Sequence, residues 1–412
     1  MIRYSKLLLE VSIKNVTSCS ALVAFEPGAV AWVITKNYYW SYTTMRKISF
    51  FIGSLSGGGS ERVCVNLANS ICAHEDWQVE IVTLSINNNV YGSDLSNSVK
   101  LNALDVRNAR YALYPIIKYL KKENIDLVMA FSYELTVLLV LIKSIFKLNV
   151  TIISRNVNNF TESTNENSTW WRRNIAVPLI KRLYSKADYY INQCDAMEND
   201  LLKSFPNLFG KSCVIYNPIK DAIFDYLPSK KNEITSPYVL CVGRLESQKN
   251  FSDAISAFFE VQKTIPELKL VIIGKGSLEN KLKDHAINLG IENKVLFEGF
   301  KSNVEDYYCS AIATVLTSSY EGFPNVLLES IALGTPIVAY NCPCGPSEII
   351  MDGVNGYLIE PYNINEMARS IIKVANREMS KETVKETAYR YKSDVIMKKY
   401  LTCISDVSKK VV

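Results

Sequence analysis

Two glutamates eight positions apart, Glu321 and Glu329, bracket the segment Gly322-Phe323-Pro324-Asn325-Val326. Upstream, 311–316 is an apolar run of strand length, β-branched at Ile312 and Val315, which predicts a strand. Pro324 suits the first position of a helix, where its missing N–H would be unpaired anyway. Strand, polar loop and helix N-terminus together present free backbone N–H groups and the positive end of a helix dipole to an anion. Carboxylates beside an anion site call for hydroxyls to hold, and a sugar and a ribose flanking a diphosphate would supply them. A second pair, Arg244 and Lys249, stands five apart in the loop after another strand-like run, 238–242, and offers fixed cations. Each residue also has a structural reading. Glu329 could be an ordinary exposed helix glutamate, Glu321 a helix-capping acid, and Arg244 and Lys249 a solvated loop pair.

The surrounding segments favour the chemical reading. CVGRLESQKN (241–250), VIIGKGS (271–277), TSSYEGFPNVLLE (317–329) and LGTPIVAYNCPCGPSEII followed by DGVNGYLI (333–359) occur in that order, with the glycine loop SLSGGGSERV (54–63) in the other half. The series resembles the retaining glycosyltransferases of the large family 4, with the glutamate pair matching their E-x7-E motif, over residues 45 to the C-terminus. The resemblance implies an α/β protein of GT-B architecture, two Rossmann-like parallel-sheet domains facing across a cleft.

It also implies roles. Arg244 and Lys249 would contact the diphosphate and stabilise its charge as the sugar departs. Glu321 would hold donor-sugar hydroxyls near the anomeric centre, and the 322–326 backbone would line sugar and phosphate. Glu329 would accept from both ribose hydroxyls. Gly274, Gly276 and Phe300 are placed to touch the base or ribose edge, although Phe300 and Lys275 could equally be core and surface residues. Gly58 and Gly59 would face the phosphates and transferred sugar from the other domain. The chain has no Asp-x-Asp, the metal clamp of the other major glycosyltransferase fold, so transfer is expected to need neither metal nor cofactor. Many relatives carry a histidine near the reaction centre. Here the only histidines, His74 and His285, match no such position. Arg155 and Asn156, after the fourth clear strand of the first half, are the candidates for positioning the acceptor.

Composition bounds the rest. A length of 412 residues fits two ordinary domains, and a net charge of +5 argues against a dedicated nucleic-acid binder while allowing contact with phosphate or anionic lipid. The ten cysteines are scattered, and Cys342 and Cys344 lack the second pair or histidines of a zinc site, so they are expected to be reduced packing residues. No run reaches the roughly 18–20 apolar residues of a membrane span. Residues 168–186 carry Trp170, Trp171, Arg172, Arg173, Lys181, Arg182 and Lys186 and no acid, a composition suited to anionic headgroups or to a helix with a basic outer face.

Strand signals fall at 48–53, 79–84, 126–131, 150–154, 189–191 and 213–216, then at 238–242, 270–273, 295–298, 312–316, 337–340 and 356–359. Helical patterns between them include 60–73, with Ser60 as its cap, and a last helix over 381–407. The expected organisation is an extension outside the fold over 1–44, with Met45 as the native start and a membrane anchor as the rival idea. An acceptor-binding domain over 45–226, a linker at 227–237, a nucleotide-sugar domain over 238–385 and a helix over 386–412 crossing back to the first domain complete it. Function is expected to be transfer from a UDP-sugar to a lipid-linked saccharide in O-antigen or capsule synthesis, by an enzyme peripheral on the inner face of the bacterial cell membrane. A nucleotide-sugar 2-epimerase of the same fold and a catalytically silent partner subunit are the alternatives.

Overall fold

Each half of the chain builds one parallel sheet, because most of its strands are apolar and most are followed by a helix that covers one face of the sheet. The computed structural model describes residues 46–74, 76–85, 90–106, 111–123, 125–159, 161, 174, 177–228, 234–376 and 379–409. In the first half these form β1 (Arg46–Ile52), α1 (Gly59–Cys72), β2 (Trp77–Thr83), β3 (Lys100–Ala103), α2 (Leu113–Glu123), β4 (Leu127–Ala130) and α3 (Tyr133–Phe146). They continue with β5 (Thr151–Arg155), α4 (Val177–Tyr184), β6 (Tyr189–Asn192), α5 (Asp195–Ser204), β7 (Ser212–Val214) and α6 (Asp221–Phe224). The second half contains β8 (Tyr238–Val242), α7 (Phe251–Gln262), β9 (Lys269–Ile273), α8 (Glu279–Asn288), β10 (Val295–Gly299), α9 (Val304–Ser310) and β11 (Ala313–Leu316). After them come α10 (Asn325–Ala332), β12 (Ile337–Tyr340), α11 (Pro346–Ile349), β13 (Gly356–Ile359), α12 (Ile364–Asn376), α13 (Lys381–Glu386) and α14 (Ser393–Lys409).

The strand orders are β3-β2-β1-β4-β5-β6-β7 and β10-β9-β8-β11-β12-β13, with every pairing parallel. Both are doubly wound, and both reverse direction beside their first strand. In such sheets the loops at the carboxyl ends of the two central strands diverge and leave a crevice for ligand. The second sheet's crevice therefore lies between the loops after β8 and β11, which carry Arg244 with Lys249 and Glu321. The two Rossmann-like sheets of a GT-B fold are thus in place.

The closing helix packs on the first domain. Ile396, Met397, Tyr400, Ile404 and Val407 of α14 are buried in the same cluster as Ile48 and Phe50 of β1 and Val63 and Leu67 of α1. In the opposite sense, Cys194, Ile219, Ile223 and Phe224 of the first half are buried among second-half residues. The domains therefore exchange packing at both chain crossings.

Several expectations need adjusting. The C-terminal helix expected over 381–407 is interrupted by a 3₁₀ turn, Tyr389–Tyr391, because the carbonyl of Tyr391 accepts from Ile219 N at 2.8 Å instead of continuing the helical ladder. Helix α1 is capped at Gly58, not Ser60, with the Glu61 carboxylate reaching back to the Gly58 N–H. Pro324 is itself the cap of α10, one residue before the expected position. Strand β3 and helix α5 were not expected at all. Residues 1–45, 170–173 and 229–233 of the linker lie outside the described residues. Among the described residues no helix is long and apolar enough to cross a membrane.

Candidate active site

After β8 the chain turns through Gly243 and Arg244, makes a 3₁₀ turn at Ser247–Lys249, and enters α7 through Asn250 in the left-handed region (φ 45°). The loop after β11 fixes this shape. Thr317 Oγ1 donates to the carbonyls of Lys249 and Asn250 at 3.2 and 2.9 Å, and Ser319 N donates to Gln248 O at 2.8 Å. Gln248 Nε2 returns a bond to Tyr320 O at 3.0 Å. The two strand-end loops are thereby locked as one unit, with Lys249 Nζ 2.6 Å from Glu321 Oε1. Ser318 Oγ donates to the same carboxylate oxygen at 2.6 Å. Lys249 and Glu321 are both largely enclosed, whereas Arg244 is exposed at the rim.

The Gly-Phe-Pro-Asn turn then leads into α10. At Gly322 a β-carbon would come within 2.2 Å of the Val157 carbonyl in the first domain, so only glycine allows the two backbones to approach here. Phe323 is buried, stacked on Tyr216 with ring centroids 5.1 Å apart. Asn325 ties the helix start to the first domain. Its Nδ2 donates to Gly59 O at 3.3 Å, and Asn217 Nδ2 donates to its Oδ1 at 2.7 Å and to Phe323 O at 3.1 Å. Glu329, just over a turn inside α10, accepts from Arg62 Nη1 of α1 at 2.7 Å and from Tyr308 Oη at 3.5 Å. Glu348 of the second domain accepts from the Asp195 and Ala196 N–H groups at 3.0 and 2.9 Å, capping α5 of the first.

Arg244, Lys249, Glu321, Glu329 and the 322–326 segment are therefore drawn to one side of the cleft, and Gly58 and Gly59 lie opposite. Gly274 and Gly276 have a packing reason for being glycine. β-Carbons there would fall 1.8 Å from Gly243 O and 2.4 Å from Leu245 O, so the β9 turn can nest on the Arg244 loop only without side chains. Phe300, which could have been a core residue, is 57% exposed just after β10. His285 bonds Ser256 within the second domain at 2.9 Å, away from these groups.

Arg155 and Asn156 do not sit as expected for residues that grip an acceptor. Arg155 is wholly buried, donating from Nε to Tyr400 Oη at 2.9 Å and from Nη2 to Asn217 Oδ1 at 2.6 Å, with its guanidinium over the Phe131 ring at 5.2 Å. It links α14, the first sheet and, through Asn217, the start of α10. Asn156 is spent on Asn192 Oδ1 at 2.6 Å and on the Tyr184 hydroxyl. Arg155 thus braces the junction of the domains, and Asn156 is bonded within the first domain. Sequence reasoning missed Arg62, which lies inside the glycine-loop segment already singled out, and missed Ser318, Asn217 and Tyr308. Only the first two of these adjoin a recognised motif.

All nine cysteines among the described residues are free thiols, and Cys342 and Cys344 are buried. Among the described residues no three His, Cys, Asp or Glu side chains gather in a way that could hold a metal ion.

Comparison with known proteins gives two matching families that adjoin. Residues 57–222 match the model described as Glycosyltransferase Family 4, and 225–391 match Glycosyl transferases group 1. A poly(glycerol-phosphate) alpha-glucosyltransferase of Bacillus subtilis is 33% identical over 43% of this chain, which spans only 25% of that relative's length. An N-acetylgalactosamine-N,N'-diacetylbacillosaminyl-diphospho-undecaprenol 4-alpha-N-acetylgalactosaminyltransferase of Campylobacter jejuni is 27% identical over 84% of this chain and 94% of its own. Among solved structures, Anabaena Alr3699/HepE in complex with UDP and glucose superposes with a TM-score of 0.73 at 19% identity, covering 88% of this chain and 100% of that one.

Proposed function

This chain belongs to the family-4 glycosyltransferases, and from that premise we propose that it transfers a sugar, with retention, from a UDP-sugar to a lipid-linked saccharide of a bacterial surface polysaccharide. One observation carries the reading. Lys249 and Glu321 meet at 2.6 Å at the sheet's switch point, beside Arg244 and before a helix that carries Glu329.

In this reading the bond between the anomeric carbon and the diphosphate oxygen breaks, and negative charge grows on the leaving group. Lys249 and Arg244 stabilise that charge, with the α10 N-terminus adding its dipole. Glu321, oriented by Ser318 and Lys249, accepts from sugar hydroxyls and faces the positive charge developing at the anomeric carbon. The acceptor oxygen attacks from the face the diphosphate leaves, and its proton passes to the departing phosphate oxygen. No side-chain base is required, which suits a site with no histidine nearby. The alpha linkages in the names of the Bacillus and Campylobacter relatives support retention, and UDP in the Anabaena complex supports the nucleotide. The undecaprenol-linked substrate in the Campylobacter name supports a lipid-linked acceptor. Exposed Leu179, Lys181 and Arg182 on α4, with Lys186 just beyond, give the first domain an apolar and basic face suited to the inner membrane surface. In this reading the enzyme needs no metal.

The test is a screen of nucleotide-sugars against a lipid-linked saccharide extract, following released nucleotide and product. Acceptor-dependent release of UDP with an α-linked product is the expected result. Release of a free epimerised sugar without acceptor would overturn it.

A further inference from the structure

Arg62 has no part in the mechanism above, yet among the described residues it makes both ion pairs that join the two domains. It lies in the first turns of α1 and reaches across the cleft, with Nη1 at 2.7 Å from Glu329 Oε1 and Nη2 at 3.6 Å from Glu305 Oε1. Glu329 is enclosed, its side chain 16% exposed. The groups facing it are Arg62 from α1, Glu305 and Tyr308 from α9, and Lys220 from the segment before α6. Arg62, Lys220 and Glu329 line one recess at the cleft mouth. A carboxylate offers about four lone-pair positions, so Arg62 on one side of Oε1 leaves room for two further donors.

We propose that Arg62 is a positioning residue for the donor site: reaching over from the first domain, it fixes Glu329 as a carboxylate aimed at the two ribose hydroxyls. This deepens the functional reading and rests on Glu329 as the ribose acceptor. The chemistry follows from enclosure. A carboxylate removed from water gains affinity for a proton unless a cation faces it. A protonated Glu329 would have one oxygen occupied by hydrogen and would no longer accept from both hydroxyls. Burial pushes Glu329 above the usual carboxylate range, Glu305 adds to that, and Arg62 is the main group pulling the other way. Tyr308, held neutral by burial, donates to Glu329 but brings no positive charge to it. Because Arg62 belongs to the other domain, the acceptor is fully prepared only when the domains are together, and ribose binding thereby favours closure.

The test is UDP binding by calorimetry to the full chain over roughly pH 5–8, in wild type, Arg62→Met, Arg62→Gln, Arg62→Lys and Glu329→Gln. Removing the cation moves the Glu329 titration upward, so binding should weaken as pH falls through that raised value. Below it the loss approaches about tenfold per pH unit. Arg62→Met and Arg62→Gln should show this slope, with binding closest to wild type at high pH, and Arg62→Lys should restore the wild-type profile. Two neutral replacements are used so that a folding defect in one leaves the comparison intact. A wild-type pH profile in both would overturn the proposal. Equal weakening at every pH in Met, Gln and Lys variants would also overturn it, since that marks packing alone. Glu329→Gln separates the layers. If it binds UDP like wild type, the ribose assignment itself falls; if it binds weakly while Arg62→Met behaves as wild type, only the role of Arg62 falls.

Discussion

Lys249→Met gives the sharpest test of the proposed mechanism, because stability and turnover should respond to different parts of the same contact. Lys249 and Glu321 lie 2.6 Å apart with side chains 14% and 8% exposed. At an effective dielectric of about 20 their gross attraction is about 6 kcal/mol. Most of that offsets desolvation, and the measurable consequence of removing one partner is an uncompensated buried charge, about 3–5 kcal/mol. Ser318 still donates to Glu321 and holds the loss toward the lower end. Lys249→Met should therefore lower the denaturation midpoint substantially and slow sugar transfer by about 10²–10³. In the double variant Lys249→Met/Glu321→Gln the buried charge is gone while the Ser318 bond can remain. Stability should recover most of its loss, and turnover should not recover. Chemical denaturation and single-turnover release of UDP from the donor measure the two quantities. Wild-type stability in Lys249→Met would refute the claim that the pair is buried and coupled. Near-normal turnover in either variant would remove Lys249 from the diphosphate.

Arg244 is exposed, so Arg244→Ala should slow transfer by about 10²–10³ with an unchanged melting temperature; a stability loss without a rate loss would make it a structural residue. Glu329→Ala should weaken UDP binding and abolish discrimination between UDP and its 2′-deoxy analogue, measured by titration; retained discrimination would place the ribose elsewhere. Glu321→Gln should depress turnover more than donor affinity, because its charge is used as the anomeric carbon becomes positive. Transfer should persist in excess EDTA, and an absolute requirement restored by Mg²⁺ or Mn²⁺ would count against a leaving group stabilised by Arg244 and Lys249 alone.

What could be read from the chain was whatever is encoded locally. Strands such as β8, β12 and β13 are buried on both faces, so their residues are uniformly apolar and their limits coincide with those of the apolar runs. Strand β3 escaped because it is an edge strand, KLNA, whose residues are half-buried or exposed and carry no apolar pattern. The placement of the candidate loops was equally local. Arg244, Lys249, Glu321 and Glu329 lie within recognisable segments, and parallel-sheet topology dictates that loops after β8 and β11 meet. Arg62 and Glu329 are separated by 267 positions, Arg155 and Tyr400 by 245, and each pair meets only because the domains close and α14 returns. No period or motif in one segment encodes such a partner. The same separation explains why Arg155 was misplaced. Its position at the carboxyl end of β5 pointed to the cleft, but a side chain claimed by Tyr400 and Asn217 is wholly buried.

The cross-domain contacts also constrain how this enzyme can move. Gly322 against Val157, Asn325 against Gly59 and Asn217, and Arg62 against Glu329 all join the first domain to the segment between the two glutamates. That segment is also where the sugar and phosphates are proposed to lie. Opening the cleft would therefore break contacts that order the proposed donor site itself, rather than contacts at some remote hinge. Glu348 on the α5 N-terminus can break in the same motion, since it is a capping contact with no side-chain cation to separate. With the donor bound in the proposed site, its loading and domain closure become one equilibrium, and a substitution at Asn217 or Asn325 should shift nucleotide affinity even if neither side chain touches the nucleotide.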